Sequence, residues 1–132
     1  MYSFPITVEF EDIDSYGIIH HPKILYYFER TRVHFFMDNN ININKIKYGI
    51  VLRDISIQYK SQLLLMDKIN VELRTKSIDK FRFVFEYTIK KEDKTAIKSE
   101  IEFCVIDLDS KRLTEIPDEI RVLLEKIKIN DK

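Results

Sequence analysis

Apolar and polar residues alternate along most of this chain, and the places where the period changes mark its elements. Ile6, Val8 and Phe10 face one way and Thr7, Glu9 and Glu11 the other, so Ile6 to Ile13 reads as a strand. The period lengthens at Pro22. Ile24, Leu25, Phe28, Thr31, Phe35 and Phe36 recur at helical spacing, which predicts a helix running to about Asp38. Pro22 suits the first helical position, where its missing N–H costs nothing. Asn39-Asn40 then ends the helix, because Asn tolerates the left-handed conformation that closes helices.

A short irregular or helical piece leads to Gly49, and strands follow. Ile50 to Tyr59 carries Val51, Ile55, Ile57 and Tyr59. Ile69 to Thr75 alternates Ile69, Val71 and Leu73 with Asn70, Glu72 and Arg74. Phe81, Phe83, Phe85, Tyr87 and Ile89 share a face, as do Ile97, Ile101, Phe103 and Val105 further on. The polar turns Ser77-Lys80 and Lys91-Lys94 are short enough to join these three strands as an antiparallel meander. Pro117 opens a last helix with Ile120, Leu123, Leu124 and Ile127 as its stripe. Each strand has one apolar face that must be covered, and the long aromatic-rich helix is the available cover. The pattern therefore predicts an α+β chain, a long N-terminal helix wrapped by an antiparallel sheet.

Composition narrows the picture. The 132 residues suit one domain, 1–132, able to bury a core without staples. Lys plus Arg and Asp plus Glu number 22 each, and a chain with no net charge is a poor nucleic-acid binder. Cys104 is the single cysteine, so no intrachain disulfide can form; a packed thiol in a reducing, cytoplasmic setting is expected. No basic segment followed by an apolar one opens the chain, so no secretory signal is expected, and no apolar run reaches the length of a membrane span.

The chemistry concentrates in the loop from Asp14 to His21. Asp14 is a carboxylate placed before the N-terminus of a helix, where unpaired N–H groups and a partial positive charge gather. Such a carboxylate serves as a general base or a nucleophile, and the helix end can polarise a carbonyl. The His21 N–H is the best donor, because Pro22 has none. Asp12, two residues earlier on the predicted strand, would share a face with Asp14; a structural role bonded to loop N–H groups is expected. Gly17 permits a positive φ. Glu29 and Arg32, three apart, are expected to pair along the helix. His20 reads as a surface residue and His34 as packed or half-exposed. No metal site is expected, since adjacent His20 and His21 match no ligand spacing.

Strand, then Asp-x-Asp-x-x-Gly-Ile-Ile-x-His, then a helix with Tyr-Phe-Glu-x-x-Arg resembles the 4-hydroxybenzoyl-CoA thioesterase family of the hotdog fold. Within it, the chain is most similar to the small bacterial acyl-CoA thioesterases associated with the Tol–Pal envelope system. Glu11, Asp12, Asp14, Gly17, Ile18, Ile19, His21, Phe28, Glu29 and Arg32 carry the resemblance, with weaker matches at Val51, Ile57, Tyr59, Asp67, Asp107 and Ile116-Pro117. The resemblance implies Asp14 as the catalytic carboxylate, the helix N-terminus as the oxyanion site and His21 beside the scissile bond. It further implies an acyl-CoA or acyl-ACP substrate, no cofactor, and a homodimer or dimer of dimers formed by pairing sheets edge to edge. Phe10 and Ile24 stand where the family often has Tyr, and Gln62 where it usually has Pro. The run Leu63-Leu64-Leu65-Met66 is apolar for a turn and reads as a subunit contact or part of an acyl pocket. A hydratase or dehydratase on the same fold, or a non-catalytic binding protein, are the rival readings.

Overall fold

A computed structural model describes residues 1–129. The elements run β1 (Tyr2–Thr7), α1 (Pro22–Asp38), β2 (Tyr48–Tyr59), β3 (Lys68–Ile78), β4 (Arg82–Lys91), β5 (Lys94–Asp107), β6 (Leu113–Thr114) and α2 (Asp118–Lys126), with one 3-10 turn at Phe10–Asp12. The sheet is antiparallel throughout, in the order β1-β3-β4-β5-β2, and β6 adds to β5. This is the expected α+β arrangement.

The core lies between α1 and one face of the sheet. Phe83, Phe85, Tyr87 and Ile89 of β4 and Ile97, Ile101, Phe103 and Val105 of β5 are buried there. From the helix come Ile24, Tyr27, Phe28, Thr31, Phe35 and Phe36. The rings interlock, with Phe28 stacked on Tyr87 at 4.5 Å and Phe83 on Phe103 at 5.3 Å. Offset and edge-on contacts of this kind add to the hydrophobic gain of burying the rings. The α2 stripe, Ile120, Leu123 and Leu124, is buried, as is Ile127 just past the helix. Cys104 is buried too.

The helix stripe differs from expectation at one place. Leu25 is 42 % exposed, and Tyr27 takes its place in the core. Positions 24, 27, 28, 31 and 35 follow the helical repeat, whereas 25 lies off that face.

The first strand also differs. β1 begins at Tyr2 and ends at Thr7, and Phe10 is 80 % exposed rather than facing the core with Ile6 and Val8. The chain tightens into a 3-10 turn at Phe10–Asp12. Polar residues after Val8 keep the alternation while the backbone leaves the sheet. Asp12 and Asp14 therefore do not share a face, since Asp12 is buried and Asp14 exposed.

The turns follow their residues. Asn40 adopts φ 66° just past α1. Glu92 and Asp93 both take positive φ, 52° and 64°, in the tight connection between β4 and β5, as a two-residue hairpin matching the strand twist requires. Register shifts at Leu52/Asp54, Thr75/Ser77 and Ile89/Lys90 mark bulges, which bend strands and raise their twist.

Candidate active site

The segment between β1 and α1 is a braced hairpin. Ile13 and Ile19 bridge across it, and Ile18 bridges to Leu64 in the connection between β2 and β3. The Ile19 N–H donates to Leu63 O at 2.8 Å, and the Leu65 N–H donates to Gly17 O at 3.2 Å. The apolar run Leu63-Met66 thus serves as a brace: Leu63 is fully buried beneath the loop, while Leu64, Leu65 and Met66 stay exposed. Met66 sits at φ 69°, and its N–H is held by Val8 O at 2.8 Å. Asp67 Oδ2 accepts the Leu64 N–H at 2.7 Å and pairs with Lys91 at 2.7 Å.

Asp14 occupies the bend. Its Oδ1 accepts the Tyr16 N–H at 2.8 Å and the Ile18 N–H at 3.2 Å. Its N–H donates to Ile18 O at 2.8 Å, and its carbonyl accepts the Gly17 N–H at 3.1 Å. One carboxylate oxygen is thereby fixed by the backbone, and the side chain remains exposed for chemistry. Gly17 takes φ +77°, and a Cβ placed there would meet nothing within 4 Å. Glycine is thus favoured by the conformation, not by crowding.

The loop returns to α1 through Asp12. The His20 N–H donates to Asp12 O at 2.8 Å. His21 follows with helical angles (φ −48°, ψ −43°) and Pro22 begins the 17-residue helix. The Ile24 N–H donates to His21 O at 3.1 Å, while the His21 N–H makes no hydrogen bond among the described residues. A free donor at the positive end of a long helix is suited to an anionic or polarised oxygen. The His21 side chain is exposed, and its ring meets that of Tyr59 edge-on at 5.1 Å.

Asp12 has the structural role expected of it, in a fuller form. Its buried carboxylate accepts the Glu9 N–H at 3.0 Å and the Tyr27 hydroxyl at 2.7 Å, both at Oδ2. Lys23 approaches Oδ1 at 3.8 Å. Burial first, and then the bond to Asp12, push the Tyr27 phenol well above the ordinary tyrosine range.

Other expectations change. Glu29 and Arg32 do not pair: Glu29 is exposed, and the Arg32 guanidinium lies over the Phe103 ring at 4.7 Å. The apolar floor under that part of the helix offers Arg32 a ring face as its partner. His34 is exposed, with its ring stacked on Phe4 at 4.3 Å. Among the described residues, no group of three or more His, Cys, Asp or Glu is placed to hold a metal. Tyr59 and Tyr27 were missed as site residues. Both follow ordinary packing patterns in the sequence, and only the fold brings one to His21 and the other to Asp12.

Residues 8–124 match the model of the thioesterase-like superfamily. The chain belongs to that superfamily. It is 23 % identical over 131 residues to the acyl-CoA thioesterase YbgC of Haemophilus influenzae, covering 96 % of each chain. Its fold matches the crystal structure of a hypothetical protein from Aquifex aeolicus with a TM-score of 0.89 at 27 % identity, covering 94 % of this chain and 99 % of that one. A 1,4-dihydroxy-2-naphthoyl-CoA thioesterase from Synechocystis superposes with a TM-score of 0.87 at 14 % identity, covering 96 % of each chain. The fold is the hotdog, as expected.

Proposed function

We propose that the chain hydrolyses acyl-CoA thioesters to a free carboxylic acid and CoA, with Asp14 as the reacting carboxylate. The observation that carries this reading is the pairing of an exposed carboxylate, anchored at one oxygen by the N–H groups of Tyr16 and Ile18, with the unpaired His21 N–H at the head of α1. A thioester carbonyl placed there receives a hydrogen bond at its oxygen while Asp14 acts on its carbon. Asp14 either takes a proton from the attacking water or attacks directly. In the second route a mixed anhydride forms with loss of the thiolate, and water then splits it to regenerate Asp14. A single turnover in 18O-labelled water tests the second route: water that opens the anhydride at the Asp14 carbonyl leaves solvent oxygen in the Asp14 carboxylate, which the first route never does. His21 lends its backbone N–H to the carbonyl, and its ring rests against Tyr59. Within the superfamily we place the chain in the 4-hydroxybenzoyl-CoA branch, beside the small acyl-CoA thioesterases of the Tol–Pal type.

Asp14 and His21 are exposed in the single chain, and an edge strand lies beside His21. β2 is a 12-residue edge strand without proline, and its inward-facing Leu52 and Tyr59 are 46 % and 49 % exposed. β1, the other edge, has 6 residues and contains Pro5, which removes a donor. We read β2 as the edge that pairs with a second copy, giving a homodimer or a dimer of dimers.

The test is thiol release from a panel of short, long, branched and aromatic acyl-CoA thioesters. Asp14→Asn is expected to lower kcat by roughly 10²–10⁴-fold with the fold intact. His21→Ala keeps its backbone donor and is expected to lose less. A folded Asp14→Asn variant with the activity of the parent chain would remove Asp14 from the mechanism. Absence of hydrolysis together with hydration of an enoyl thioester would instead mark a hydratase.

A further inference from the structure

We propose that Tyr27 is a positioning residue for this reaction: through the buried Asp12 carboxylate, its hydroxyl sets the geometry of the loop that carries Asp14 and His21. The inference rests on the acyl-thioester reading of that loop and adds to it a residue that touches neither substrate nor reacting atoms.

Tyr27 is fully buried and Asp12 is 5 % exposed, so their 2.7 Å bond lies away from water although 15 residues separate them in the chain. Oδ2 of Asp12 also receives the Glu9 N–H, where the chain leaves the sheet, at 3.0 Å. The carbonyl of Asp12 receives the His20 N–H, where the chain enters α1, at 2.8 Å. One residue therefore ties together the entry of the loop, its exit and the body of the helix. Asp14 lies two residues after the entry clamp, and His21 directly follows the exit clamp.

Removal of the Tyr27 hydroxyl leaves a buried carboxylate short of a donor. Such a group draws in water or turns toward another partner, and either response moves the backbone on both sides of it. A misplacement of about 1 Å in a reacting group costs on the order of 10²-fold in rate. A phenol is protonated at neutral pH, and burial raises this one further, so the hydroxyl remains a donor.

The same chemical bond occurs twice far from the loop. Tyr2 donates to Asp38 at 2.6 Å, and Tyr48 donates to Glu119 at 2.6 Å. Tyr48→Phe thus removes a tyrosine–carboxylate bond, exposed rather than buried, without reaching the site and provides the control.

The experiment compares the full chain with Tyr27→Phe, Tyr48→Phe, Asp12→Asn and the Tyr27→Phe/Asp12→Asn double variant. Tyr27→Phe is expected to lower kcat for an acyl-CoA by about 10-fold or more with KM within about 2-fold, the signature of lost transition-state geometry. Tyr48→Phe is expected to stay within about 2-fold in both, as a remote surface bond should. If Tyr27 acts through Asp12, the double variant is no slower than Asp12→Asn alone, because the two changes break one unit. Amide hydrogen exchange at Tyr16 and Ile18, whose N–H groups hold Asp14, is expected to quicken in Tyr27→Phe and not in Tyr48→Phe. Unchanged kcat and unchanged exchange in a folded Tyr27→Phe overturn the proposal; effects that multiply in the double variant overturn the route through Asp12. Should the single variant not fold, the double variant, which leaves no unpaired buried charge, carries the comparison with Asp12→Asn. A parent chain inactive on every thioester defeats the functional reading, and the exchange measurement still decides whether Tyr27 holds the loop.

Discussion

The inner faces of β5 and β2 lie side by side in one sheet and meet different fates. Val105, Phe103, Ile101, Ser99 and Ile97 of β5 stand opposite Ile50, Leu52, Ile55, Ile57 and Tyr59 of β2. The β5 residues are all buried, at 2 % exposure or less. Leu52 and Tyr59 are about half exposed, and Ile50, Ile55 and Ile57 are only partly buried. Both strands have enough apolar residues to fill a core. The difference is cover: α1 packs on β1 and β3 and sets Phe28, Phe35 and Arg32 against rings of β4 and β5, whereas it meets β2 at Tyr59 through His21 at its head. A helix of ordinary diameter shields only part of a sheet this wide. The uncovered strip runs to Tyr59, which meets His21 at the head of the helix. The covered face supplies stability, and the uncovered one borders the proposed site and is the edge that the proposed dimer would use.

The contrast can be broken by substitution, and the largest effect is expected under the helix. Phe85 is fully buried and touches the rings of Phe35, Phe83, Tyr87 and Phe103. Phe85→Ala should cost about 3–5 kcal/mol of unfolding free energy, read from urea titration. Leu52→Ala, measured in dilute protein, should cost no more than about 1 kcal/mol. Equal losses at the two positions would mean that β2 is as well covered as β5.

A charge on the uncovered strip should act on assembly. Ile57→Lys is expected to weaken self-association by about 100-fold or more while leaving the secondary structure of the chain intact. Sedimentation of the parent and the variant checks this; the same oligomeric mass for both would place the contact elsewhere, and a monomeric parent would remove the proposed assembly.

The smallest effect lies outside both faces, in the turn before β4. The N–H groups of Arg82 and then Phe81 donate to Asp79 and hold its carboxyl below the ordinary aspartate range. A lowered folded-state value gives stability that is present above the unfolded value of about 3.8 and lost as pH falls through the folded value. Asp79→Asn should therefore be less stable than the parent at neutral pH, and the gap should narrow near pH 3. A gap independent of pH would assign the effect to shape rather than to charge.

Much of this was legible in advance. The period-two runs in β3, β4 and β5 and the helical stripes of α1 and α2 gave their elements and buried faces, because burial on one side forces alternation in the residues themselves. Asp14, Gly17 and His21 stood out as a carboxylate, a flexible bend and a helix entry in one short loop. The end of β1 was less legible, since Glu9, Phe10 and Glu11 continue an alternation that the backbone abandons for a 3-10 turn. A register pattern records which residues differ in polarity, not whether a neighbouring strand is present to pair with them.

What the residues determined by themselves is local: where the chain extends, where it coils, and where a bare carboxylate precedes a helix. What only the tertiary structure decided is partnership across the chain. Arg32 lies over Phe103 rather than beside Glu29, Tyr59 arrives at His21, and Tyr27 reaches Asp12. Each partner lies too far along the chain for periodicity to register, and each contact exists because closing the core under α1 brings those positions together. The same closure leaves β2 only partly covered, since the extent of a helix's cover is set by the packed geometry and not by how apolar the next strand is.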